Sequence, residues 1–139
     1  MKTLLIPLIL LAATTAVHAD DKGPALRRIM QELSLQMQNG TDAISREDWP
    51  ALAQIAPKIA DHPAPPMAER MRVFSALGSD VARFRELDQQ THHAAEDLGE
   101  AAKNGDAANT IASFAKVQSA CMACHQGFRA RVHAALDAP

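Results

Sequence analysis

The chain is 139 residues long, with 14 Lys+Arg against 16 Asp+Glu and a formal net charge of −2 at pH 7. That length fits one domain, and the absence of a basic excess or a block of one sign argues against a nucleic-acid partner. It holds only two cysteines, at 121 and 124.

The first residues carry one cation, Lys2, then an apolar run from Leu4 to Ala13, then Val17-His18-Ala19 ahead of Asp20-Asp21. This is the three-part layout of a secretory signal peptide with a small residue at the cut. Cleavage after Ala19 is expected, so residues 1–19 leave and 20–139 form the exported domain. Without Lys2 the balance is 13 cations against 16 anions, a net of −3. The apolar run is too short to span a bilayer, and no later stretch is long and apolar enough to replace it.

From Pro24 to about Ala43, Leu26, Met30, Leu33 and Met37 recur at the period of an amphipathic helix. Pro24 suits the first turn, and Gly40 is expected to loosen or end the helix. Ser45 with Asp48 resembles a capping box, and Ile44 with Trp49 a staple across it, although Pro50 can move the start to Asp48. A second helix carries Leu52, Ile55 and Ile59 and is expected to bend at Pro57. It stops at the connector Asp61-His62-Pro63-Ala64-Pro65-Pro66.

Met67, Met71, Phe74 and Leu77 restart the helical period, and Val81, Phe84, Leu87, Thr91, Ala95, Leu98 and Ala102 continue it past a break at Gly78-Ser79-Asp80. Ser79 or Asp80 is expected to cap the longer piece. At Asn104-Gly105-Asp106, Gly105 can take the left-handed closing position and Asp106 can cap the final helix. That helix sets Ile111, Phe114, Val117, Cys121, Cys124, His125, Phe128 and Val132 along one side and ends near Leu136. With no period-two strand, the pattern predicts an all-α fold, an antiparallel up-down-up-down four-helix bundle with short connections.

Cys121-Met122-Ala123-Cys124-His125 is the attachment signature of c-type haem. Positions i, i+3 and i+4 share a helical face, so two thiols and an imidazole can address one flat ligand. The thiols would add to the haem vinyl groups, and His125 would reach the iron. Two alternatives stay open at this point: a zinc site that includes both cysteines, and a thioredoxin-like redox pair. Covalent attachment of one haem c accounts for both thiols in an exported chain.

The export signal, the four helices and the run Cys121 to Arg129, with Phe128 and Arg129 just after the histidine, resemble the class II cytochromes c. That family comprises cytochrome c′ and its low-spin, methionine-ligated relatives. The resemblance implies a periplasmic monohaem cytochrome with covalent haem on Cys121 and Cys124 and His125 as axial ligand. It also implies a pocket that includes Phe128 and Arg129, and a possible homodimer paired through the first two helices. The family divides over the other side of the iron, which is either open to small gases such as nitric oxide or carbon monoxide, or closed by a methionine of the first helix.

Helical rise places His125 roughly 16 Å from the end of the last helix, and Met30 and Met37 roughly 9 Å and 20 Å from the start of the first. Those distances leave both methionines eligible. The family's first-helix pattern favours Met30, with Leu33 and Met37 lining the pocket. The leading expectation is therefore an electron-transfer protein with His125/Met30 ligation, serving periplasmic redox partners; the alternative is a five-coordinate, gas-binding cytochrome c′. No nucleophile, base and orienter constellation is visible, so no hydrolytic or transferase activity is expected. Arg27 and Arg28 are candidates for the haem propionates. His92 and His93 are read as surface residues, and His62 and His133 as lacking partners.

Overall fold

The computed structural model describes residues 23–138; the expected signal peptide lies outside the described residues. Pro24, with φ −53° and ψ 139°, stands immediately before α1, Ala25–Ser45. The helices α2 (Trp49–Ala60), α3 (Met67–Leu77), α4 (Val81–Lys103) and α5 (Ala107–Asp137) come next, with one 3₁₀ turn at Gly78–Asp80 between α3 and α4. No strand occurs among the described residues.

Residue pairs along the seams give the direction of each rod. Gly99 of α4 comes close to Ala56 of α2, while His92 of α4 lies beside Ala60. Phe84 of α4 meets Phe128 of α5, and Leu77 at the end of α3 meets Arg131. The α3–3₁₀–α4 segment is thus one interrupted rod antiparallel to α5 and, along α4, to α2. Gly40 of α1 lies over Phe114 near the start of α5, and Arg27 pairs with Asp137 at its end. Four rods alternate in direction, as the expected four-helix bundle requires.

Local chemistry sets the boundaries. Asp48 accepts a hydrogen bond from the Ala51 N–H at 3.0 Å, so it, rather than Ser45, is the cap of α2. Ser45 instead belongs to α1, where its hydroxyl donates to the Thr41 carbonyl. Gly105 takes the left-handed conformation at φ 67°, and Asp106 accepts from the Asn109 N–H at 3.0 Å. Gly78, at φ 56°, ends α3. Asp80 makes no side-chain cap; its carboxylate pairs with Arg131 at 2.6 Å, while the same guanidinium donates to the Ala76 and Leu77 carbonyls. That arginine ties α5 to the free carbonyl end of α3.

Gly40 does not end its helix. It is buried, and a Cβ there would lie 3.0 Å from Cε2 of Phe114, so its role is to let α1 approach α5. The largest fully buried apolar side chains, Leu52, Ile59, Leu77, Leu98 and Val117, all belong to other helices. Each such burial is worth about 1.5–3 kcal/mol. The buried positions of α1 are Gln36, Gly40 and Ala43, so it contributes the least to the core.

Its start is held another way. The N–H groups of Ala25 and Leu26 donate to the two carboxylate oxygens of Glu69 at 2.7 and 3.0 Å. A carboxylate at a helix N-terminus satisfies otherwise free donors and complements the dipole.

Candidate functional site

The haem-type motif sits in the middle of α5, at the seam between two core clusters. Cys121 packs against the cluster of Leu52, Ala56, Leu98, Phe114 and Val117, which Leu33 and Met37 also touch. Cys124 packs against the second, with Val73, Leu77, Leu87, Phe128 and Leu136, which Leu26 also touches. Two cysteines three positions apart on one helix thus stand one against each half of the apolar interior. Both thiols are half-buried and point into that division, while His125 is exposed on the flank.

Helical periodicity shows what that flank faces. Phe114, His125 and Leu136 are separated by eleven residues each, close to three turns, and so occupy nearly the same face of α5. α1 meets α5 at both ends, through Gly40 against Phe114 and through Arg27 against Asp137, with Leu26 packed on the cluster that includes Leu136. Both outer positions are buried and the central His125 is open. The seam is closed at its ends and open at its middle.

Electrostatics suit the same group. Burial, with the nearby Asp88 charge and the Cys121 thiol, pushes the Cys124 thiol up to about 11, and burial also raises Cys121. Both therefore stay protonated at neutral pH, which disfavours thiolate-driven redox exchange. The absence of strands among the described residues removes the other requirement of a thioredoxin-like pair. Partial burial and the Arg129 charge lower the His125 pKa, leaving a neutral imidazole with a lone pair for a metal. Among the described residues, no third His, Asp or Glu gathers with the two cysteines as a zinc site would need.

The other sequence candidates are spread over α1 and α5. Leu33 and Met37 are half-buried beside Cys121's cluster. Met30 is 38% exposed and belongs to neither cluster. Phe128 is buried, with its ring edge-on to Phe84 at 5.4 Å. Arg129 is exposed. Arg27 is engaged with Asp137 at 2.6 Å, which removes it as an uncommitted propionate partner, and Arg28 donates to the Gly23 carbonyl.

Two expectations about histidines need correction. His92 is half-buried, its ring stacked on His62 with centroids 4.7 Å apart, and Asp88 lies beside both. His62, at the start of the proline connector, reaches α4, so neither ring is without a partner. His93 is exposed beside Glu96, as expected. The spacing of Asp88 and His92, four apart on one helix, was the only local signal of this cluster.

An all-helical bundle with CxxCH inside its last rod defines a c-type cytochrome of the class II kind. The chain belongs to that family: residues 25–129 match the family described as Cytochrome C'. No curated protein and no solved structure matches it. Haem c is the cofactor that membership implies, and the divided core, the protonated thiols and the neutral imidazole fit it.

Proposed function

We propose that this protein is an exported, periplasmic monohaem cytochrome of the c′ type, whose haem c is held covalently by Cys121 and Cys124. The haem would supply an iron that binds a small diatomic gas such as nitric oxide or carbon monoxide. The observation that carries the reading is the α1–α5 seam, closed at both ends and open at His125. Neutral His125 would hold the iron through its ring-nitrogen lone pair. Leu33, Met37 and Phe128 surround the two cysteines with apolar side chains, which exclude water and favour a neutral ligand over an ion. Partial burial and, after it, the positive charge of Arg129 lower the His125 pKa, which favours the neutral imidazole. The family match favours this open form over the electron carrier expected first.

One observation favours the second reading. Met30 of α1 is 38% exposed, and its side chain is committed to neither cluster. With the thioether as second axial ligand, the protein would be a low-spin electron carrier, since methionine with histidine raises the reduction potential.

Visible spectra of the oxidised and reduced protein, with and without carbon monoxide, decide between them. The open form gives a high-spin ferric spectrum and prompt carbon monoxide binding that Met30→Leu leaves unchanged. A low-spin spectrum with a sulfur-to-iron band, lost in Met30→Leu as carbon monoxide binding appears, would replace it with the electron carrier. A colourless product from a host able to mature c-type cytochromes would end both.

A further inference from the structure

His62, Asp88 and His92 bring three ligand atoms within 4.8 Å of one another. Asp88 and His92 share a face of α4, and His62 comes from the connector just beyond α2. His62 Nε2 lies 3.9 Å from Oδ1 of Asp88, and His92 Nε2 lies 3.6 Å from Oδ2. The rings stack at an interplanar angle of 25°, with both Nε2 atoms directed at the one carboxylate.

The carbonyls behind the rings settle their tautomers. Nδ1 of His92 faces the Ala60 carbonyl, and Nδ1 of His62 faces the Pro63 carbonyl at 3.3 Å. A carbonyl oxygen only accepts, so each Nδ1 acts as the donor, and the tautomer this selects has its lone pair at Nε2. Two lone pairs and a carboxylate then converge with no donor among them. A cation between them resolves the arrangement. A carbonyl behind the imidazole is also how metal-binding histidines are commonly oriented.

Distances fit a small ion. Tetrahedral zinc with bonds of about 2.0–2.1 Å holds its ligand atoms about 3.3–3.4 Å apart. The spacings of 3.6 and 3.9 Å run to the two oxygens of Asp88, and the three ligand atoms lie within 4.8 Å, so the side chains close by up to about 1.5 Å to reach that geometry. Two imidazoles and a carboxylate form a donor set for first-row divalent transition ions and leave a position for water. Beside His62, a cleft of about 470 Å³, with Arg28, Glu32 and Lys58 in its walls, opens the site to solvent.

We propose that His62, Asp88 and His92 form a second metal site, distinct from the haem iron, that binds a divalent first-row transition ion and fastens the α2–α3 connector to α4. The site does not depend on which axial ligation the haem adopts.

The test is titration of the mature, haem-loaded protein with Zn²⁺, by calorimetry and by competition with a chromophoric chelator. One equivalent per chain is expected, with affinity lowered about tenfold or more in His92→Ala and in His62→Ala. Asp88→Asn, which keeps the side chain's shape, should weaken binding while leaving the far-ultraviolet circular dichroism unchanged. His93→Ala, which alters the exposed neighbour, should bind as the wild type does. No uptake by the wild type, or uptake equal in the wild type and the His62→Ala/His92→Ala double variant, would overturn the proposal. So would a bis-histidine haem spectrum abolished by His62→Ala or His92→Ala, because an imidazole would then belong to the haem iron.

Discussion

The seam between α2 and α4 and the seam between α1 and α5 are built on opposite plans. Along the first, a Cβ added at Gly99 would meet Ala56 at ordinary van der Waals distance, with Ala60, Ala94 and Ala95 buried nearby and Leu52, Ile59 and Leu98 filling the interior. Small residues let the backbones approach, and nothing further is needed between them. Along the second, contact is made at the ends and the middle stands open around His125. The difference teaches that α2, α4 and the body of α5 form a closely packed frame, whereas α1 is tied to α5 at its two ends.

The largest effect that can break this comparison is removal of the two cysteines proposed to hold haem beside the open seam. The Cys121→Ala/Cys124→Ala variant is expected to retain no covalent haem, checked by peroxidase staining after denaturing electrophoresis. Its α1 amides should lose hydrogen-exchange protection while those of α2 and α4 keep most of theirs. Equal loss in all three would show that the frame is not independent. Next is Leu98→Ala, which empties a fully buried position on the closed seam. It should cost about 2–5 kcal/mol in denaturant unfolding, with or without haem.

At the closed end of the other seam, Gly40→Leu sharpens the contrast. Its Cβ would start 3.0 Å from Cε2 of Phe114, so helix and ring must separate. About 1–3 kcal/mol of stability should be lost, the usual cost of overpacking. A variant as stable as the wild type would mean that α1 is free to slide.

How far the sequence revealed this arrangement depends on the range of each interaction. Asp48, Gly105 and Asp106 act within a turn of their own position, and the caps and turn they set were legible. The CxxCH spacing was legible for the same reason, since one helix presents all three side chains. Gly40 was misread because a glycine near a helix end and one at a helix crossing look alike until the crossing partner, Phe114, is known. Glu69 binding the start of α1, 43 residues back, left no local trace, nor did His62 stacking on His92 across the proline connector. Met30, Leu33 and Met37 were legible as a stripe, but their levels relative to His125 needed the register between two helices far apart in sequence.

Glu69 gives a smaller and pH-dependent prediction. Burial alone would raise its pKa, but the Leu26 and Ala25 N–H bonds, with the charges of Arg72 and Arg28, outweigh it and hold the group below its ordinary value of 4.5. A carboxylate depressed in the folded state contributes stability that is present above its unfolded pKa and is lost as pH falls through the folded value. The start of α1 should therefore loosen on acidification below about pH 4.5. Glu69→Gln should cost about 1 kcal/mol at pH 7 and flatten that part of the acid limb.

The smallest effect belongs to the same end of the seam. Arg27 meets Asp137 at 2.6 Å, but both side chains remain well exposed, so water and salt screen the pair. Arg27→Ala should cost no more than about 1 kcal/mol by denaturant titration, and the cost should shrink further in high salt. Glu69 and Arg27 grip the first turn of α1 by different means, one through backbone donors and the other through a surface charge. Combining Glu69→Gln with Arg27→Ala asks whether they act separately. If the losses add, the end is held by two independent ties; a combined loss well above the sum would mean that either tie alone keeps the seam closed at this end.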